Sequence, residues 1–124
     1  MPSQLQQTID DCHCFAARKT ARRISRAYEA HLRSTGLTIT QFLMMATLNE
    51  VGSSTVNDLA ERLDIDRTAM GRMLGFLERG GHISIMQAPD DARSRIARLT
   101  DAGRELLQSA IPLWQNAQRE FEAG

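Results

Sequence analysis

Apolar residues recur at three- and four-residue spacing through most of the chain, and the places where that rhythm breaks divide it into elements. Between residues 8 and 34, Ile9, Cys12, Phe15, Ile24, Tyr28, His31 and Leu32 trace one face of a long helix. Arg18, Lys19, Arg22, Arg23 and Arg26 occupy the opposite face. Gly36 suits the left-handed position just past a helix end. Thr38 and Gln41 have capping-box spacing, so a second helix starts there, with Phe42, Met45 and Leu48 inward and Gly52 closing it. Thr55 with Asp58 opens a short third helix that runs to Leu63. Asp64-Ile65-Asp66 reads as a tight turn, with Asp66 the N-cap of a fourth helix. In that helix Met70, Met73 or Leu74, and Leu77 point inward, and Thr68, Gly71, Arg72, Gly75 and Arg79 outward.

After Gly80-Gly81 the period shortens to two. His82–Met86 and Arg95–Leu99 alternate as strands do, and Pro89-Asp90-Asp91 supplies turn chemistry between them. Thr100 or Asp101 then caps a last helix with Leu106, Leu107, Ile111, Leu113, Trp114 and Phe121 on its apolar side; Pro112 is expected to kink it. The predicted class is mainly α with a small β-hairpin (α+β), in one domain over 1–124. A short helix at 55–63, a turn and a second helix at 66–79 form a helix-turn-helix, and the hairpin that follows is a wing. The outward residues of the fourth helix can then enter a major groove while an arginine-tipped wing reaches the neighbouring minor groove.

Composition narrows the partners less than the distribution does. Fifteen bases balance fifteen acids, so net charge gives no sign of a polyanionic partner. Fourteen of the fifteen bases are arginine, the side chain suited to bidentate phosphate and base contacts; a GC-rich genome explains that count equally well. No run of eighteen apolar residues exists to span a membrane, and the first residues lack a secretory signal, so a cytoplasmic, reducing location is expected. Enzyme chemistry has no foothold: there is no Ser/His/Asp spacing, no glycine-rich phosphate loop and no paired carboxylates on one face. No cofactor or metal is expected. Cys12-His13-Cys14 looks like a metal knuckle, but inside a helix residues two apart differ by about 200°. The two thiols could then neither share a metal nor pair without unwinding.

The stretches "LTITQF", "TVNDLAERLDIDRTAMGRMLGFLERGGHI" and "DDARSRIARLTDAGRELL" resemble the MarR family of dimeric winged-helix transcriptional regulators, over about residues 10–121. Asp91-x-Arg93 followed by Leu99-Thr100-Asp101-Ala102-Gly103 is the most specific part. The resemblance implies a winged helix-turn-helix lobe at 37–100, with dimerisation helices at 8–35 and 101–122. It also implies a homodimer bound to palindromic double-stranded DNA. Carried over by position, Arg67, Thr68, Ala69, Gly71 and Arg72 fall on the recognition-helix face. Ser54, Thr55 and Asn57 start the supporting helix and touch phosphates. Arg93 enters the minor groove, oriented by Asp91, with Arg95 beside it. Three features depart from the family: glycines at 71 and 75, Ala92 where the wing tip commonly carries arginine, and an end at Gly124 where relatives have a further helix.

The resemblance further implies repression relieved by a small molecule, often an aromatic acid, bound where the terminal helices meet the lobe. Arg22, Tyr28, His31, Phe42, Met45 and Trp114 are candidates to line that site. Cys14-Phe15-Ala16 matches the organic-hydroperoxide-sensing branch of the family, and Tyr28 matches one of the tyrosines that hold its reactive thiolate. Arg18 and Ile39 stand in place of the other two. Cys14 is therefore a candidate thiol sensor that has lost part of its support, and small-molecule control is the expected mode. A winged-helix protein-interaction module without DNA binding is the rival class; Arg67, Arg72, Arg93 and Arg95 together argue against it.

Overall fold

The computed structural model describes residues 3–124. The elements run α1 (Gln4–Asp11), α2 (His13–Leu32), a 3-10 turn at Arg33–Thr35, α3 (Ile39–Val51), β1 (Ser54–Thr55), α4 (Val56–Arg62), α5 (Arg67–Arg79), β2 (Ile83–Ala88), β3 (Asp91–Leu99) and α6 (Asp101–Ala123). No helix among the described residues is long and apolar enough to cross a membrane.

The expected single helix over 8–34 is two helices. Cys12 is extended (φ −74°, ψ 111°), and its Sγ accepts a hydrogen bond from the Phe15 N–H at 3.4 Å as the N-cap of α2. Asp10 and Asp11 explain the break. Carboxylates oppose the negative end of α1 but favour the positive start of α2. The apolar spacing continues across the junction, so periodicity alone could not reveal it. The opposite-face argument about the two thiols therefore fails, because Cys12 stands outside the helix that carries Cys14.

The start of α3 has both arms of its capping box: Gln41 N–H to Thr38 Oγ1 at 3.1 Å and Thr38 N–H to Gln41 Oε1 at 3.0 Å. A third acceptor comes from outside the element, where Glu29 of α2 takes the Ile39 N–H at 3.0 Å. Three of the first backbone donors of α3 are thus satisfied, which lets this apolar helix begin near the core. Leu32, Met44, Met45, Leu48, Leu59, Met70, Leu74, Leu77 and Ile83 are fully buried and join the two helix layers to the sheet. α2 pairs with α6, where Tyr28 donates to Gln118 and His31 meets Glu120; Phe42 of α3 stacks on Trp114 of α6 at 6.0 Å.

The sheet is antiparallel in the order β1-β3-β2. Its two-residue β1, which pairs Ser54 with Ala97 and Thr55 with Ile96, is too short to have a period and was not anticipated. The wing is longer than the alternation suggested: only Pro89-Asp90 separates its strands, and a register shift falls between Gln87 and Ala88. α6 continues through Pro112 as one element. Pro112 and Gln108 are both exposed, so water can serve the Gln108 carbonyl that the proline leaves without an N–H partner.

Candidate nucleic-acid interface

The turn between α4 and α5 fixes the interface. Leu63 ends α4, Asp64 takes a left-handed conformation (φ 53°), and the Ile65 N–H returns to the Ala60 carbonyl at 2.8 Å. Asp is one of the few side chains that tolerate that region. Asp66 Oδ2 then accepts the Ala69 N–H at 3.2 Å and starts α5. Met70, Leu74 and Leu77 anchor α5 to the core, so Arg67, Thr68, Gly71 and Arg72 are turned to solvent and Ala69 is half-buried.

Opposite α5 stands the wing. Asp91 Oδ1 accepts the backbone N–H of Arg93 at 3.0 Å, and Gln87 Nε2 donates to the Ala92 carbonyl at 2.7 Å. Asp91 thus shapes the backbone at the wing tip rather than holding the Arg93 guanidinium, and no ion pair of Arg93 occurs among the described residues. A groove of about 310 Å³ runs between the two elements, lined by Asn57, Gly71, Ile85, Arg93, Ser94 and Arg95. Ser54 and Thr55 do not line it; they are half-buried and pair with Ala97 and Ile96 of β3. Ser54 Oγ donates to the Thr55 carbonyl, and Thr55 Oγ1 accepts the Asp58 N–H at 3.0 Å, which leaves the Thr55 hydroxyl proton free. Ser94 and Ile85 carried no signal in the sequence, because strand alternation does not say which neighbour a face will meet.

Gly71 and Gly75 do not serve packing. A Cβ on Gly71 would meet nothing within 4 Å, and one on Gly75 would meet only the Arg79 guanidinium at 3.4 Å.

A second cavity, also about 310 Å³, opens between α2, α3 and α6, lined by Ile24, Tyr28, Ile39, Leu43, Trp114 and Gln118, with Ser25 at its margin. Of the six effector-site candidates, Tyr28 and Trp114 line it. Phe42 lies behind Trp114, Met45 is fully buried in the core, His31 faces a separate groove beside Glu120, and Arg22 projects to solvent. The six lie on three helices, and only the crossing of α2, α3 and α6 decides which reach the cavity. Glu29, which ties α2 to the start of α3, was missed; a carboxylate one residue from the apolar row was its only trace.

Comparison with known proteins matches this geometry. The MarR family model matches residues 37–94. The solved structure of the M. tuberculosis transcriptional regulator MosR in complex with DNA superposes with a TM-score of 0.84 at 38% identity, covering 92% of this chain and 83% of that one. The chain belongs to the MarR family. The regulator TtmR of Methylorubrum extorquens is 33% identical over 100 residues, 81% of this chain but 51% of TtmR, so the chain spans about half of that relative. The organic hydroperoxide resistance transcriptional regulator of Bacillus subtilis is 28% identical over 81% of this chain and 68% of its own length. Within this MarR-family chain, the matched residues 37–94 comprise α3, the helix-turn-helix and the wing as far as Ser94.

Proposed function

We propose that the chain is a dimeric, sequence-specific DNA-binding transcriptional regulator, a repressor that leaves its operator when a small molecule fills the cavity under Trp114. One observation carries the reading: Gly71 of α5, Asn57 of α4 and the wing's Arg93 and Arg95 line a single groove, and Arg67, Thr68 and Arg72 are exposed on the same helix as Gly71. That is the arrangement a winged helix needs to place a helix in the major groove and a hairpin beside it. MosR, which is similar over most of both chains, is bound to DNA in its crystal structure. Dimerisation is supported by apolar side chains left outside: Leu5, Ile9 and Phe15 at the start of the chain and Phe121 at its end. The site is an open, mainly apolar depression at the small end of ligand-site volumes, and it borders α3, the first helix of the lobe.

The test is equilibrium binding to a mixed duplex across a salt series. Arg67, Arg93 and Arg95, doubled by a partner, predict a slope of log K against log salt of about −5 on that duplex. The preferred site should be a palindrome with half-sites roughly 34–36 Å apart. A monomer that retains no duplex at low salt would overturn the reading. Trp114 is the only tryptophan, so its fluorescence reports whether an aromatic acid that releases DNA also enters the cavity.

A second reading, regulation through Cys14, is favoured by one observation. Cys14 is exposed in the first turn of α2, and Arg18 follows it one turn later on the same helix. A thiolate there would attack an organic hydroperoxide, forming a sulfenate and releasing the alcohol. Under small-molecule control, stoichiometric cumene hydroperoxide leaves the DNA complex intact. Prompt release that vanishes in Cys14→Ser would make the thiol the switch.

A further inference from the structure

Phe76 is out of place by the logic of burial. It is 59% exposed on α5, and it is the one aromatic of the winged-helix lobe left in solvent, the other, Phe42, being buried. Thr68, Arg72 and Phe76 stand four residues apart and form one row along the exposed side of α5. Gly71 and Gly75 flank the row. The first leaves open space where a side chain would be, and the second leaves room for the Arg79 guanidinium to lie back along the helix. The ring is exposed, with Arg72 one turn before it and Arg79 one turn after, and one edge of it borders a groove with Leu37, His82 and Leu106.

An apolar ring bracketed by two cations fits a polyanion that carries an apolar group on its floor. Duplex DNA has one such group in the major groove, the C5-methyl of thymine. We propose that Phe76 is a specificity-determining residue that packs against the methyl group of a thymine about two base pairs from the base Arg72 contacts. The spacing comes from geometry. Four helical residues advance about 6 Å, against roughly 3.4 Å per base pair. The proposal rests on the DNA-binding reading above and deepens it by naming a base.

The experiment starts from duplexes selected by the full-length protein from a random-sequence pool. Each thymine of a selected duplex is then replaced in turn by uracil, which lacks only the methyl. For the wild-type protein, one thymine per half-site should show a loss of roughly fourfold on replacement, the value of burying one methyl group. In Phe76→Ala that loss should disappear, and affinity for the uracil duplex should equal that of the wild type. Phe76→Leu, which keeps apolar contact, should restore part of the methyl dependence. Because the ring is exposed, neither variant should alter thermal stability, which separates the effect from misfolding.

The proposal is overturned if no thymine is methyl-dependent, or if Phe76→Ala shows the same uracil penalty as the wild type. It is equally overturned if Phe76→Ala changes the sedimentation behaviour of the protein and not its DNA preference. That result would assign the ring to a protein contact over the neighbouring cavity formed with Leu37, His82 and Leu106. A wild-type protein that enriches no duplex at all would instead remove the DNA-binding reading itself, and this inference with it.

Discussion

Gly103→Ala should destabilise the fold by about 2–4 kcal/mol, although alanine is the better helix former. Gly103 is the third residue of α6 and is buried. A Cβ there would lie 2.0 Å from the His82 carbonyl oxygen, 3.0 Å from its carbon and 3.3 Å from Leu99 Cδ2. The first obstacle is backbone immediately before β2 and cannot rotate away, so α6 must retreat. Retreat strains the hydrogen bonds that seat the helix. Thr100 Oγ1 accepts the Gly103 N–H at 3.0 Å and donates to the Gly81 carbonyl at 2.7 Å, while the Thr100 N–H reaches the His82 carbonyl at 3.1 Å. Losing the cap costs about 1 kcal/mol, and forcing atoms into a packed site costs about 1–3. Further loss comes from moving Leu107 and Ala110, both in the core. The intrinsic gain of alanine over glycine, about 1 kcal/mol, offsets only part of this. Thermal denaturation should show a fall on the order of 10 °C. Gly71→Ala is the control, since nothing lies within 4 Å of its Cβ position. It should raise stability by about 0.5–1 kcal/mol. A Gly103→Ala protein as stable as the wild type would show that β2 and α6 are not held this closely.

On the DNA-binding reading, Arg72→Ala and Arg93→Ala should both impair binding, but in different ways. Arg72 projects from the outward face of α5, where a bidentate base contact is worth about 1–3 kcal/mol of discrimination. Its loss should reduce preference for the selected site over mixed sequence by about 5- to 150-fold per half-site and leave the mixed-sequence affinity nearly unchanged. Arg93 lies in the groove between α5 and the wing, away from the row that contains Arg72. Its loss should weaken selected and mixed duplexes alike and flatten the salt slope by about one unit per protomer. Both side chains are exposed, and neither forms an ion pair among the described residues, so the folding stability of both variants should stay within about 0.5 kcal/mol of wild type. Titrations of the two duplexes at three salt concentrations separate these outcomes. If both variants bind like the wild type, the interface is not on α5 and the wing.

The order of elements and most of their ends were readable in the sequence, because each end is written by residues three or four positions apart. Thr38 with Gln41, Thr55 with Asp58, Asp66 with Ala69 and Thr100 with Gly103 make their hydrogen bonds within one turn, whatever else the chain does. The outward set on α5 was legible for the same reason: three apolar residues at helical spacing leave only one side for Thr68, Gly71 and Arg72. Other features depend on partners distant in sequence. β1 exists only because β3 returns alongside it forty residues later. Glu29 caps α3 only because α2 crosses its start, and Gly103 is required only because His82 lies against it. Tyr28 and Trp114 face a cavity while Phe42 and Met45 fill the core, a division that depends on helix crossing and not on hydrophobicity. The break at Cys12 lies between these cases. Asp10 and Asp11 write it locally as charge, but the apolar period runs on through it, and the spacing of side chains could not show that the backbone had turned. Hydrogen bonds within a turn are fixed by the local sequence, whereas contacts between elements are fixed by how whole faces pack, and that packing exists only once the chain has folded.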